Sequence, residues 1–136
     1  MRIRAHLLIT LSVLILATIF SMVPAVAQQA IFRNAPASAA EMKNPYTGSA
    51  TAAAAGKKLY TQDCAQCHGN NLQGMGPAPA LDTPAVHNAK AGELFWFIST
   101  GKLTSGMPSW SNLPKQQRWQ IVTFLESQTR AKTAAK

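Results

Sequence analysis

Two cysteines stand three residues apart with a histidine directly after the second: Cys64-Ala65-Gln66-Cys67-His68. No other cysteine occurs among the 136 residues. On a helix the three side chains fall at i, i+3 and i+4 and project from one face. The C-x-x-C-H spacing is that of covalent haem attachment. Each thiolate forms a thioether to one vinyl group of the same porphyrin, and the adjacent histidine is held under the iron as proximal ligand. The rest of the chain is expected to wrap around one covalently bound haem.

Plainer uses of the motif fit less well. A tetrahedral zinc site needs four ligands, and outside the motif the sequence offers only His87, because His6 falls in a leader-like segment. A thioredoxin-like redox pair follows a strand and opens a helix within a βαβ pattern. The residues before Cys64 read as a helix and show no strand alternation. A structural disulfide is the remaining alternative.

Met1-Arg2-Ile3-Arg4 is a basic start, followed by an apolar run from Leu7 to Val23 and then Pro24 and Ala25-Val26-Ala27. A basic start, an apolar run and small residues at the end form a secretory signal, with cleavage expected after Ala27. The alternative is a retained anchor, for which the run is short against the ~20 residues of a membrane span. Export to the periplasm agrees with covalent haem attachment. Losing Arg2 and Arg4 with the leader reduces the net charge from +8 to +6. A basic surface steers a protein toward acidic partners or an anionic membrane. The lysines stand singly apart from the Lys57-Lys58 pair, so no basic stripe suggests nucleic-acid binding.

Three segments follow from the composition: a leader over 1–27, an extended arm or linker over 28–49, and a domain over 50–136. The arm carries Pro36, Pro45, Gly48 and many alanines and serines, without a helical or strand period. A helix is predicted from Ala50 to the motif, with Gly56 and Tyr60 four apart on one face. A glycine inside a helix costs about 1 kcal/mol against alanine, which points to close approach by another element. Glycines and prolines from Gly69 to Pro79 read as a loop, and the irregular stretch continues past Pro84 and His87. A helix is predicted over Ala89–Thr100, stopped by Gly101, and a last one from Pro114 to about Thr129, where Ile121, Val122 and Leu125 form an apolar stripe. The fold class is all-α.

The sixth position on the iron decides what a haem protein does: Met/His ligation suits electron transfer, whereas an open position admits small molecules. Met42, Met75, Met107 and His87 are the distal candidates. Met75 follows His68 by only seven residues, so its loop would have to turn round the porphyrin edge almost at once, and Met42 lies in the arm. Met107 is 39 residues beyond His68, between Gly106 and Pro108, with enough chain to pass through a helix and return. The flanking glycine permits close backbone approach and the proline restricts the backbone after it. A lone methionine in a loop is usually packing, so on placement alone Met107 stays a candidate.

Gly56-Lys57-Lys58-Leu59-Tyr60 leading into Cys64-Ala65-Gln66-Cys67-His68-Gly69 resembles the first helix and haem motif of class I cytochromes c. The resemblance runs from about Ala50 to Gln128 and leaves the arm aside. It implies a cytochrome c fold in which Gly56 and Tyr60 cross Phe124 and its neighbours on the last helix. It implies Met107 as distal ligand and Trp110 and Leu81 as pocket walls. It also implies that a proline carbonyl after the motif accepts the Nδ1–H of His68. Pro77 and Pro79 both fit, and Pro77 is favoured because it directly follows Gly76.

Phe95-Trp96-Phe97-Ile98 together with Gly106-Met107-Pro108-Ser109-Trp110 is similar to small monohaem bacterial cytochromes, some serving quinoprotein alcohol dehydrogenases and others terminal oxidases. The expected function is a periplasmic one-electron carrier meeting acidic redox partners, with peripheral membrane contact as an option. The alternatives are a tightly bound subunit of such a dehydrogenase or oxidase, docked through the arm, and an enzyme with an open iron. The last is disfavoured because the segment around Met107 offers no histidine or carboxylate as distal acid or base.

Overall fold

The computed structural model describes residues 34–134, with side chains described as far as residue 129. The leader expected over 1–27, its cleavage point after Ala27, and the first residues of the arm lie outside the described residues. Six α-helices are present among the described residues, and no strand: α1 (Ala37–Glu41), α2 (Ala50–Asp63), α3 (Ala65–His68), α4 (Pro84–His87), α5 (Ala91–Thr100) and α6 (Lys115–Ala134). Two isolated β-bridges, Met75–Ala78 and Lys102–Met107, close loops. This is the all-α architecture expected.

Local chemistry accounts for the long helices. Ser49 caps α2 by accepting from the Ala52 amide at 3.2 Å, and alanines, the best helix formers, fill its first turns. At the start of α5 the Glu93 carboxylate accepts the Lys90 amide at 2.7 Å, so the helix begins at Ala91 rather than Ala89. Gly101, at φ 67°, ends it. α6 begins one residue after Pro114 and continues to Ala134, past the expected end near Thr129. Arg130 to Ala134 contain no glycine or proline to stop it.

α2 and α6 approach closely where Gly56 meets Gln120: a Cβ at Gly56 would overlap the Gln120 carbonyl. One turn along, the Tyr60 and Phe124 rings lie 5.3 Å apart, and Tyr60, Ala65, Leu72, Phe124 and Leu125 bury one another. A second cluster joins α5 to α6 through Phe95 stacked on Trp119 at 4.1 Å and 19°. Leu72 reaches the first cluster from the loop after α3 with φ 63°, an uncommon conformation for a non-glycine residue. Its burial in that cluster offsets the backbone strain.

The described part of the arm differs from the extended reading. α1 lies against α5, with the Ala39 carbonyl filling the space a Cβ at Gly92 would take. Beyond it, Asn44 is buried, and its Nδ2 donates to Thr123 Oγ1 at 3.0 Å and to Glu126 Oε2 at 2.9 Å, both on α6. Its Oδ1 accepts the Tyr46 amide at 2.9 Å. The segment is thus tied to both long helices of the second cluster. A five-residue helix spans too few turns to show a period, which is why α1 is not visible in the sequence.

Candidate haem site

The motif sits where α2 passes into α3. The Cys64 amide still bonds Tyr60 O at 2.9 Å, and the Cys67 and His68 amides bond Cys64 O at 3.1 and 2.9 Å. Cys64 is thus the junction between the two helices, at φ −118° and ψ −34°, while Cys67 and His68 lie within α3. Cys64 is half-buried and Cys67 exposed, and the two sulfurs are not bonded to each other. Burial pushes the Cys64 thiol up to about 12, with the Asp63 carboxylate and then Cys67 adding to the effect. Among the described residues no three His, Cys, Asp or Glu side chains gather as a metal clip.

His68 Nδ1 lies 2.9 Å from the carbonyl oxygen of Pro79. A carbonyl can only accept, so Nδ1 is the donor, which in the neutral ring leaves the Nε2 lone pair for a metal. The partner is Pro79 and not the favoured Pro77. The reason lies in the loop: the Met75 amide bonds Ala78 O at 3.2 Å and the Ala78 amide bonds Met75 O at 3.0 Å. Gly76 and Pro77 therefore form the tip of a two-residue turn, and Pro77 is exposed there. Pro79 is the first residue past the bridge, and its carbonyl faces the imidazole. The Gly74 amide bonds His68 O at 2.8 Å and secures the base of the same loop. Below the motif, the Tyr60 hydroxyl donates to Gly69 O at 2.6 Å.

Met107 stands on a separate loop, after α5, with its side chain half-buried. Its amide and carbonyl pair with those of Lys102 at 3.1 and 2.8 Å, and Gly106 turns between them at φ 80°. Further on, Ser109 Oγ donates to Ser99 O at 2.6 Å and the Trp110 amide bonds Ile98 O at 3.1 Å. The other distal candidates are placed differently. Met42 packs against the α5–α6 cluster, Met75 is exposed on the turn after the motif, and His87 Nε2 lies 3.1 Å from Asp82 Oδ1. Trp110 and Leu81 are partly buried against the core. The sequence offered no signal for Leu72, nor for the serines that hold the Met107 loop, since each acts through a contact distant in the chain.

Two cysteine sulfurs at C-x-x-C-H spacing and an imidazole whose Nδ1 is engaged by Pro79 form the donor set that a covalent haem requires. This helical fold and this site define a monohaem c-type cytochrome domain. The family model described as cytochrome c oxidase, cbb3-type, subunit III, matches residues 51–125, more than half of the chain, and the chain belongs to that family. Among curated proteins none matches the chain. Cys64 and Cys67 hold haem c covalently and the domain serves electron transfer. When bound, the haem supplies a one-electron ferric/ferrous couple. The Pro79 carbonyl fixes the orientation of the His68 ring beside the two sulfurs.

Proposed function

We propose that this chain is an exported, periplasmic one-electron carrier whose iron is held by His68 and Met107. The observation that carries the reading is the pair of braced loops. His68 has its Nδ1–H committed to Pro79, and Met107 sits in a turn whose backbone is paired at its base. A carrier works best when neither ligand moves as the iron changes charge, and both side chains belong to tied segments. From Gly101 to Leu113 the chain has no histidine, aspartate or glutamate, so the Met107 loop brings no acid or base for peroxide or gas chemistry. The basic surface, with exposed Lys57, Lys58 and Lys102, suits brief encounters with acidic redox partners.

The test is the absorption spectrum of the purified holoprotein in both oxidation states, with and without carbon monoxide. The expected result is a low-spin spectrum with the methionine-to-iron charge-transfer band, unmoved by carbon monoxide. Met107→Ala is expected to abolish that band, lower the potential and admit carbon monoxide. If Met107→Ala leaves spectrum and potential as they were, Met107 is not a ligand.

A second reading is a tightly bound subunit of a terminal oxidase or a quinoprotein dehydrogenase. The family description, which names an oxidase subunit, favours it. The burial of Asn44 and the packing of α1 weigh against the arm as its docking element, because residues 37–49 are occupied by their own domain. Co-purification with a larger chain at native expression would establish this reading, and a monomer on gel filtration would remove it.

A further inference from the structure

The loop that carries Met107 has two limbs, and Arg118 near the start of α6 reaches both. Its Nη1 donates to Ser99 Oγ at the end of α5, and its Nε donates to Leu113 O, where the loop returns, at 3.1 Å. Its guanidinium carbon lies 4.8 Å from the centroid of Phe95, the ring that stacks on Trp119. The contacts continue toward the methionine. Ser99 donates to Phe95 O at 2.7 Å, and the Ser99 carbonyl accepts Ser109 Oγ at 2.6 Å. Ser109 directly follows Pro108, whose backbone lies where a Cβ at Gly101 would be. A half-buried cation at the head of an apolar helix face costs desolvation, and here the guanidinium fork offsets it with two bonds on two different elements.

We infer that Arg118 is a positioning residue for the distal ligand: by joining Ser99 to Leu113 it keeps the two limbs of the Met107 loop closed and so keeps Met107 on the iron. The inference rests on Met107 being the sixth ligand. Without Arg118 the methionine still reaches the iron, but the loop opens more often and an external ligand enters during each opening. A hydrogen bond to a charged donor is among the stronger ones in proteins, so the open fraction rises about tenfold or more.

The experiment measures the rate at which the ferric holoprotein binds cyanide, together with amide exchange at Lys102 and Met107, in Arg118→Gln, Arg118→Lys, Asn44→Ala and Met107→Ala. Arg118→Gln is expected to keep covalent haem and the low-spin spectrum, to bind cyanide about tenfold or more faster, and to exchange the two bridge amides faster. Arg118→Lys keeps the charge but lacks the fork, and is expected to behave like Arg118→Gln. A wild-type rate in the lysine variant would overturn the bonding argument in favour of simple charge. Asn44→Ala, which loosens the fold away from this loop, is the control expected to lower thermal stability without changing the cyanide rate. If Arg118→Gln binds cyanide within twofold of the wild-type rate, the inference is wrong. Should Arg118→Gln fail to accumulate, Ser109→Ala breaks the same chain of contacts and is read by the same two criteria. Met107→Ala separates the two ideas: an unchanged spectrum there sinks the ligation reading itself, whereas an opened iron upholds it and leaves Arg118 to be judged alone.

Discussion

Tyr60 shows how one hydroxyl couples the motif to the core. Its ring is packed on Phe124 and its oxygen donates to the Gly69 carbonyl, one residue past His68. Burial, with a smaller contribution from Cys64, raises its ionisation from the ordinary 10 to about 12. The Cys64 contribution disappears once that sulfur is a thioether, and burial remains. As pH rises past 10 the unfolded chain releases this proton before the folded one does. Stability is therefore full below pH 10 and falls as pH climbs toward about 12. Tyr60→Phe is expected to cost about 1 kcal/mol at neutral pH through the lost bond, and to flatten that alkaline fall. Chemical denaturation of both holoproteins at pH 8 and 11 would check this. An equally steep fall in the phenylalanine variant would show that another group titrates. The motif itself was legible because its chemistry is local: three residues within five positions declare one cofactor. The identity of the carbonyl behind His68 was not, since Pro77 and Pro79 differ only in which side of the Met75–Ala78 bridge they occupy.

At the scale of elements, the crossing of α2 and α6 is set by the missing side chain at Gly56. Two effects of Gly56→Ala oppose each other. Alanine favours the helix by about 1 kcal/mol, but its methyl group would overlap the Gln120 carbonyl, which is helix backbone and cannot move aside. Overpacking of this kind costs about 1–3 kcal/mol and at times more, so the clash dominates. The variant is expected to melt well below the wild type, and a higher melting temperature would mean that the helices do not cross here. The sequence showed α2, α5 and α6 because each has ten or more residues and clear boundary chemistry. It hid α1 and α4, of five and four residues, because neither completes two turns. Thr83 and Pro84 are a capping residue and a favourable first residue, yet without a periodic run behind them they read as loop.

For the molecule as a whole, the strap from Ala37 to Ser49 joins ends of the chain that the composition kept apart. Asn44 and Glu126 are 82 positions distant, and the hydrogen bond between them could not be read from either neighbourhood. Asn44→Ala leaves Thr123 and Glu126 without that donor in a largely buried setting, at an expected cost of about 1–3 kcal/mol. Cleavage within 34–49 by a dilute protease should quicken, while the visible spectrum stays unchanged. A spectrum that changed with it would place the strap nearer the haem than its contacts indicate. The pairing of α2 with α6 also orders events in time. Gly56 meets Gln120 across most of the domain, so the helical core cannot close until the last helix has been made. His68 is made 52 residues before Gln120, on the order of 3–10 s at ordinary rates of synthesis. Throughout that interval the two thiols are carried on a chain whose helical core is still open.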